Sequence, residues 1–77
     1  MSTYRVGTVV HLCQRLAIVP IDADEVPQIG TSVVDQELQR VGRIVDIFGS
    51  VSAPYAAVSP TDQETALRLL GERVYAR

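Results

Sequence analysis

The sequence predicts an all-β domain, a small six-stranded β-barrel with one short helix near its C-terminus. Three observations point there. Short runs rich in Val, Ile and Tyr recur at near-regular intervals, separated by Gly, Pro, Asp and Ser. One segment, late in the chain, switches to helical spacing. Seventy-seven residues suffice for a single domain, residues 1–77, and a sheet closed on itself hides edges that so short a chain cannot otherwise cover.

After a polar lead at Ser2 and Thr3, Tyr4 to Leu12 has strand composition, and Gly7 within it predicts a bulge or a close backbone approach. Cys13-Gln14-Arg15 reads as a turn and Leu16 to Ile21 as a second strand, paired with the first as a hairpin. Pro20 cannot donate to a ladder, which predicts an edge position. Asp22 to Glu25 is an acidic turn, and Val26 to Gly30 carries the chain across to a short strand over 31–34. A polar turn at Asp35-Gln36-Glu37 then returns it into a long second arm, with Arg43 to Phe48 as its strand.

That strand is the centre of the pattern. Alternation places Val45 and Ile47 on one face and Ile44 and Phe48 on the other, with Asp46 between them. A strand with one wet face should alternate apolar and polar residues. This one is apolar on both sides, so it is either covered on both faces or covered on one by another protein. Gly49-Ser50 is expected to break it, Val51 to Pro54 to connect, and Tyr55 to Val58 to form the next strand, stopped by Ser59-Pro60. Thr61 and Glu64 have the spacing of a capping box. A helix over 62–70 follows, with Gly71 as its C-cap and Arg73 to Ala76 as a last strand.

Composition excludes several functions. The net charge is −2 and the isoelectric point near 5.1, which disfavours general nucleic-acid binding. All seven basic residues are Arg, dispersed along the sequence and not clustered. Cys13 is the sole cysteine, so no internal disulfide is expected, and no apolar leader or membrane-length run is visible. These features predict a cytoplasmic protein with no membrane association.

Few residues suggest chemistry. His11 and Cys13 share a strand face, but a structural metal site needs about four ligands and no further His or Cys exists. Neither a third catalytic group nor an oxyanion hole accompanies them. Cys13 is expected to be a small buried or half-buried apolar side chain. The acidic turn lacks calcium-loop spacing, and no phosphate-binding glycine loop is present. No catalytic residue, metal, cofactor or small-molecule substrate is predicted, and an enzyme is the least favoured class. Asp46 is unusual as a carboxylate among Ile44, Val45, Ile47 and Phe48, either solvated or paired across an interface.

The run from Gly42 to Val58, GRIVDIFGSVSAPYAAV, resembles the Gar family of H/ACA ribonucleoproteins in its compact archaeal form, without glycine/arginine-rich tails. The family pattern G-[KR]-[IV]-x-D-[IV]-F-G-P-V-x-x-P-Y-x-x-V is met by Gly42, Arg43, Ile44, Asp46, Ile47, Phe48, Gly49, Val51, Pro54, Tyr55 and Val58. Gly7, the Pro27–Gly30 turn, Val33-Val34-Asp35, Gly71 and Arg73-Val74-Tyr75 extend the likeness along nearly the whole chain. Ser50 departs from it, standing where the family commonly has Pro, and leaves that turn freer.

The resemblance implies a barrel similar to those of translation factors. It also implies a non-catalytic subunit that binds the pseudouridine synthase of the H/ACA particle and assists RNA-guided pseudouridylation of rRNA, in substrate loading and product release. Guide RNA and the other H/ACA proteins would be engaged indirectly. On this reading Ile44, Asp46, Phe48, Gly49, Val51, Pro54 and Tyr55 build or support the docking surface. Phe48 and Tyr55 are its anchors, Gly49 allows close approach, Pro54 fixes the start of the strand, and Asp46 pairs with a partner Arg or a backbone donor. The competing reading of Phe48 and Tyr55 is that they fill the barrel. The competing function is a PRC-barrel-type interaction adaptor, which shares the G-[KR]-[IV]-x-D-[IV] strand but is not expected to continue FG-x-V-x-x-PY. A stand-alone RNA-binding barrel would need aromatics interleaved with basic residues.

Overall fold

The computed structural model describes residues 3–22 and 24–77. Ser2 of the expected polar lead and Ala23 of the expected acidic turn lie outside the described residues. The chain forms β1 (Tyr4–Thr8), β2 (His11–Cys13), β3 (Leu16–Pro20), β4 (Ser32–Val34), β5 (Arg40–Ser50), β6 (Ala53–Pro60), α1 (Gln63–Leu69) and β7 (Arg73–Ala76). The all-β class with one short helix near the C-terminus is as the sequence predicts.

Two details differ. The described residues hold seven strands, not six, because Val9 and Val10 break the expected first strand into β1 and β2. The strands form one sheet in the order β1-β7-β4-β5-β6-β3-β2, and its ladder does not close into a barrel. The terminal strands β1 and β2 are instead joined by the Val9-Val10 link. That link is held by backbone bonds from Val9 N–H to the Glu72 carbonyl (2.9 Å), Val10 N–H to Ile18 (3.0 Å) and Gly71 N–H to Val9 (2.8 Å).

β1 also passes over β3, where Asp22 N–H donates to the Val6 carbonyl at 2.8 Å. Gly7 permits this crossing. It lies at the expected bulge in the β1–β7 register, and a Cβ there would collide with the Pro20 carbonyl oxygen.

The turns follow local chemistry. β2 and β3 are joined by Gln14 and Arg15, with φ of 50° and 72°, the left-handed pair that a two-residue hairpin requires. Cys13 belongs to β2 and is exposed, contrary to the expected burial, because Leu12 is the residue of that strand that packs against the core. Pro20 is not on an edge strand, since β3 pairs with both β2 and β6. It is tolerated because β2 reaches only as far as Ile18, so the missing N–H interrupts no rung on that side.

The helix starts one residue later than predicted. Asp62, not Thr61, is the N-cap, and its Oδ1 accepts from Thr65 N–H at 2.7 Å. The helix ends at Leu69 with Leu70 as C-cap, and Gly71 follows at φ 84°.

The core is built from small β-branched and aliphatic side chains. Val6, Val19, Val33, Val41, Ile44, Val58, Leu69 and Val74 form it, with Ala17, Ala56 and Ala76 filling the tightest spaces. No aromatic belongs to this buried cluster; Tyr4 only packs against it. The aromatic side chains are therefore left for other work.

Candidate functional site

β5 lies fourth of the seven strands and pairs with β4 over its first half and with β6 along most of its length. The predicted centre of the pattern is thus the centre of the sheet. Its alternation, however, is interrupted. Ile44 is opposite Val58 and Asp46 opposite Ala57, so Val45 is an extra residue in a β-bulge.

The bulge changes which residues share a face. Ile44 is fully buried in the core and Ile47 packs against it, whereas Val45, Asp46 and Phe48 are exposed. The expected pairing of Ile44 with Phe48 on one face and Val45 with Ile47 on the other is corrected: an inserted residue reverses the phase of everything beyond it.

Beyond the bulge, β5 and β6 continue as a hairpin arm to the paired Ser50 and Ala53. The predicted break at Gly49-Ser50 is absent, and the connection is only Val51-Ser52. Ser50 secures this turn itself: its Oγ accepts from Ala53 N–H at 3.1 Å. The residue that departs from the family pattern thereby supplies by hydrogen bond the restraint a proline would supply by its ring. Val51 stands fully exposed at the tip.

Phe48 and Tyr55 are opposite each other on the arm, with ring centroids 5.6 Å apart and planes 16° from parallel. Pro20 flanks Tyr55 from β3, so the row across the sheet reads Phe48, Tyr55, Pro20. Phe48 is 42% exposed and Tyr55 half-buried, and neither joins the core cluster. They do not fill the fold's interior. Gly49 lies beside them at φ 96°, and a Cβ on it would come to 3.0 Å of Tyr55 Cδ1. A glycine is needed there both for the backbone and for the ring.

Of the seven docking residues predicted from sequence, the arm gathers six. Asp46, Phe48 and Val51 are exposed, Pro54 and Tyr55 are half-buried beside them, and Gly49 makes room for the ring. Ile44 sits in the core and contributes only by holding β5 in place. Asp46 is exposed and has no hydrogen bond or ion pair among the described residues, so it is solvated in this chain. Val45, 37% exposed at the bulge, belongs to the same apolar surface and was missed. Only the cross-strand register, not the sequence, reveals it as extra.

The remaining candidates are dispersed. His11 and Cys13 are both exposed, and the described residues contain no group of three or more potential metal-ligating side chains. A cleft of about 420 Å3 lies between the β2–β3 turn and α1, lined in part by Leu12, Arg15, Pro60, Asp62 and Leu67. Its only carboxylate is occupied in capping the helix. No helix among the described residues is long and apolar enough to cross a membrane.

Residues 3–77 match the family described as the Gar1/Naf1 RNA binding region. The chain is 23% identical over 62 residues to the H/ACA ribonucleoprotein complex subunit GAR1 of Encephalitozoon cuniculi, which aligns with 80% of this chain. The chain spans about a third, 34%, of that relative's length. Its fold is similar to the solved structure of the Gar1 domain of NAf1, with a TM-score of 0.79 at 16% identity, covering 97% of this chain and 85% of that one.

Proposed function

Since the chain belongs to the Gar1/Naf1 RNA binding region family, we propose that it is a non-catalytic subunit of an H/ACA ribonucleoprotein. In this reading it binds the pseudouridine synthase and assists RNA-guided pseudouridylation of rRNA, in substrate loading and product release. The guide RNA and the particle's other proteins are engaged through the synthase, and the protein acts in the cytoplasm.

The observation that carries the reading is the β5–β6 arm. Phe48 and Tyr55 are stacked outside the core, beside Val45 and a fully exposed Val51. Keeping a Phe and three aliphatic or aromatic neighbours at a surface costs hydration free energy that a free protein has no reason to bear. A protein partner that covers the arm recovers it. Asp46, solvated here, offers such a partner one carboxylate to pair with Arg or a backbone N–H.

Calorimetric titration against the cognate synthase catalytic subunit, without RNA, tests this. One-to-one binding that weakens for Phe48→Ala and Tyr55→Ala, with both variants folded, supports the assignment. Absence of binding to a folded cognate synthase refutes it and favours the PRC-barrel-type interaction adaptor instead.

A further inference from the structure

The sheet has two edge strands, and they are not alike. β1 has a register shift at Gly7, carries Arg5 and passes over β3. Bulges and charges of this kind blunt an edge against a further strand. β2, at the other end, has neither device. Among the described residues it pairs with β3 alone, in unshifted register, and His11-Leu12-Cys13 holds no Lys, Arg, carboxylate or Pro. The two-residue turn at Gln14-Arg15 makes Cys13 and Leu16 the closing, hydrogen-bonded pair. At the next position, Leu12 opposite Ala17, the backbone N–H and C=O therefore point away from β3, toward the free edge.

The same strand carries the chain's sole histidine and sole cysteine. His11 and Cys13 are both exposed and two residues apart, so they stand on one face, about 6.8 Å apart at Cα, while Leu12 turns to the core on the other. Their neighbours on β3 are Ile18 and Leu16, apolar and half-buried, so no charged group there competes for a ligand. A His-x-Cys step on a strand is a bidentate half-site. Imidazole and thiolate are the ligands zinc favours, but a tetrahedral structural centre takes four. The described residues of one chain bring no third ligand to this pair. A second copy of the strand brings two.

We propose that zinc joins two copies of this chain edge to edge through β2, in a centre to which each copy gives His11 and Cys13. Antiparallel addition of one β2 to another sets Leu12 opposite Leu12 at the two-fold axis, where the two residues exchange both N–H···O bonds. His11 of each copy is then opposite Cys13 of the other, as non-hydrogen-bonded pairs with Cα atoms about 4.5 Å apart. All four ligands project from one face, each Cα about 4 Å from the axis. With Zn–S of about 2.3 Å and Zn–N of about 2.0–2.1 Å, an ion on the axis is within reach of two thiolates and two imidazoles. The thiolates balance the charge of Zn2+, and their protons pass to solvent. On the other face, the cleft of about 420 Å3 lined in part by Leu12, Ala66 and Leu67 opens beside the same strand and gives the second copy's Leu12 an apolar seat. Leu67, otherwise exposed, is covered in the process. The occupant of this edge is a second copy because two-fold pairing is what turns a two-ligand strand into a four-ligand centre. Self-association of this kind goes beyond synthase docking and uses none of the arm residues.

The test is titration of the full chain, kept reduced, with Co2+ and then Zn2+, followed by absorption and by analytical ultracentrifugation. Expected are one ion per two chains, the visible bands of tetrahedral cobalt with near-ultraviolet thiolate-to-cobalt charge transfer, and loss of both as zinc displaces cobalt. The 8.4 kDa chain shifts to a dimer, zinc tightens self-association at least tenfold, and EDTA reverses it. His11→Ala and Cys13→Ser each abolish the cobalt bands and the zinc-dependent dimer. Both side chains are exposed, so the melting temperature without zinc stays as in the wild type. Phe48→Ala keeps the zinc dimer, and His11→Ala without zinc keeps synthase binding, so failure of one assignment is distinct from failure of the other. No metal binding, one ion per chain without dimerisation, cobalt bound without thiolate charge transfer, or a dimer that forms equally without zinc and in both variants would overturn the proposal.

Discussion

Phe48 and Tyr55 face each other across β5 and β6 with ring centroids 5.6 Å apart and planes 16° from parallel, and both rings stand outside the core. A stacked pair of this kind adds about 0.5–1.5 kcal/mol beyond its burial. It stiffens the arm on which it sits, and leaves the outward side of Phe48 available to a partner.

Replacing Phe48 separates its two roles. Phe48→Ala loses the stacking and part of a half-exposed burial, roughly 1–2 kcal/mol together. For a domain of this size that lowers the melting temperature by about 5–15 °C and leaves the protein folded at 20 °C. Synthase affinity should fall by about 30-fold or more, the effect of truncating an aromatic anchor. Thermal melts and calorimetry on one sample decide the matter. Collapse of the fold with normal binding by the folded remainder would show that Phe48 serves packing alone.

Ile44 should behave in the opposite way. It is fully buried on the same strand, four residues away. Ile44→Ala removes core methylenes and leaves a cavity, at about 2–5 kcal/mol. A small domain holds only about 5–15 kcal/mol in total, so the urea midpoint should drop by roughly an eighth at the least. Ile44→Val, at about 0.5–1.5 kcal/mol, should stay folded and bind the synthase normally. A binding defect in the folded Val variant would place Ile44 in the interface.

Gly49 joins backbone to ring. Its φ is 96°, and a Cβ would press on Tyr55 Cδ1 at 3.0 Å and the Ala53 carbonyl oxygen at 3.1 Å. Gly49→Ala should cost about 1–2 kcal/mol for the backbone alone and displace the Tyr55 ring. Near-ultraviolet circular dichroism of the tyrosines reports the displacement, and denaturant melts report the cost. A variant with an unchanged spectrum and midpoint would show that the arm accommodates a side chain there.

How much was legible follows from what each signal depends on. The hairpins, the late helix, the bulge at Gly7 and the pivotal place of β5 rest on local composition and periodicity, and all of these are found. The bulge at Val45 was not legible, because Ile44-Val45-Asp46 reads in sequence like any other stretch of the strand and only the partner strand shows which residue is extra. Alternation carried across it assigned Phe48 to the wrong face. Ladder closure was equally invisible, since it depends on how β1 and β2 meet at Val9-Val10 and not on any residue type.

Leu38 carries strain that can be relieved. It closes the β4–β5 turn at φ 65° with its side chain exposed, while Asp35 Oδ1 accepts from Glu37 N–H at 2.9 Å and from Gln39 N–H at 3.0 Å. A non-glycine residue in this region costs about 1–2 kcal/mol, and a glycine costs about 0.5–1 kcal/mol in chain entropy instead. Leu38→Gly should therefore stabilise the domain by roughly 0.5–1 kcal/mol, raising the melting temperature by a few degrees. A lower melting temperature would mean that the Leu38 side chain makes contacts worth more than its backbone strain.

Asp62 sets the response to acid. Its carboxyl is held below the usual carboxylate range, chiefly by the hydrogen bond from Thr65 N–H, with the Thr65 hydroxyl and the nearby Arg68 acting in the same sense. A carboxyl whose folded pKa is depressed stabilises the fold fully above its unfolded pKa, about 3.9, and loses that contribution as pH falls through the lower folded value. Asp62→Asn keeps a capping oxygen but has no charge to titrate. The melting temperature of the wild type should exceed that of the variant at pH 6, and the gap should narrow below about pH 4 as the carboxylate takes up its proton. A gap that stays constant down to pH 2 would show that the charge of Asp62 contributes nothing and that the cap acts through its hydrogen bond alone.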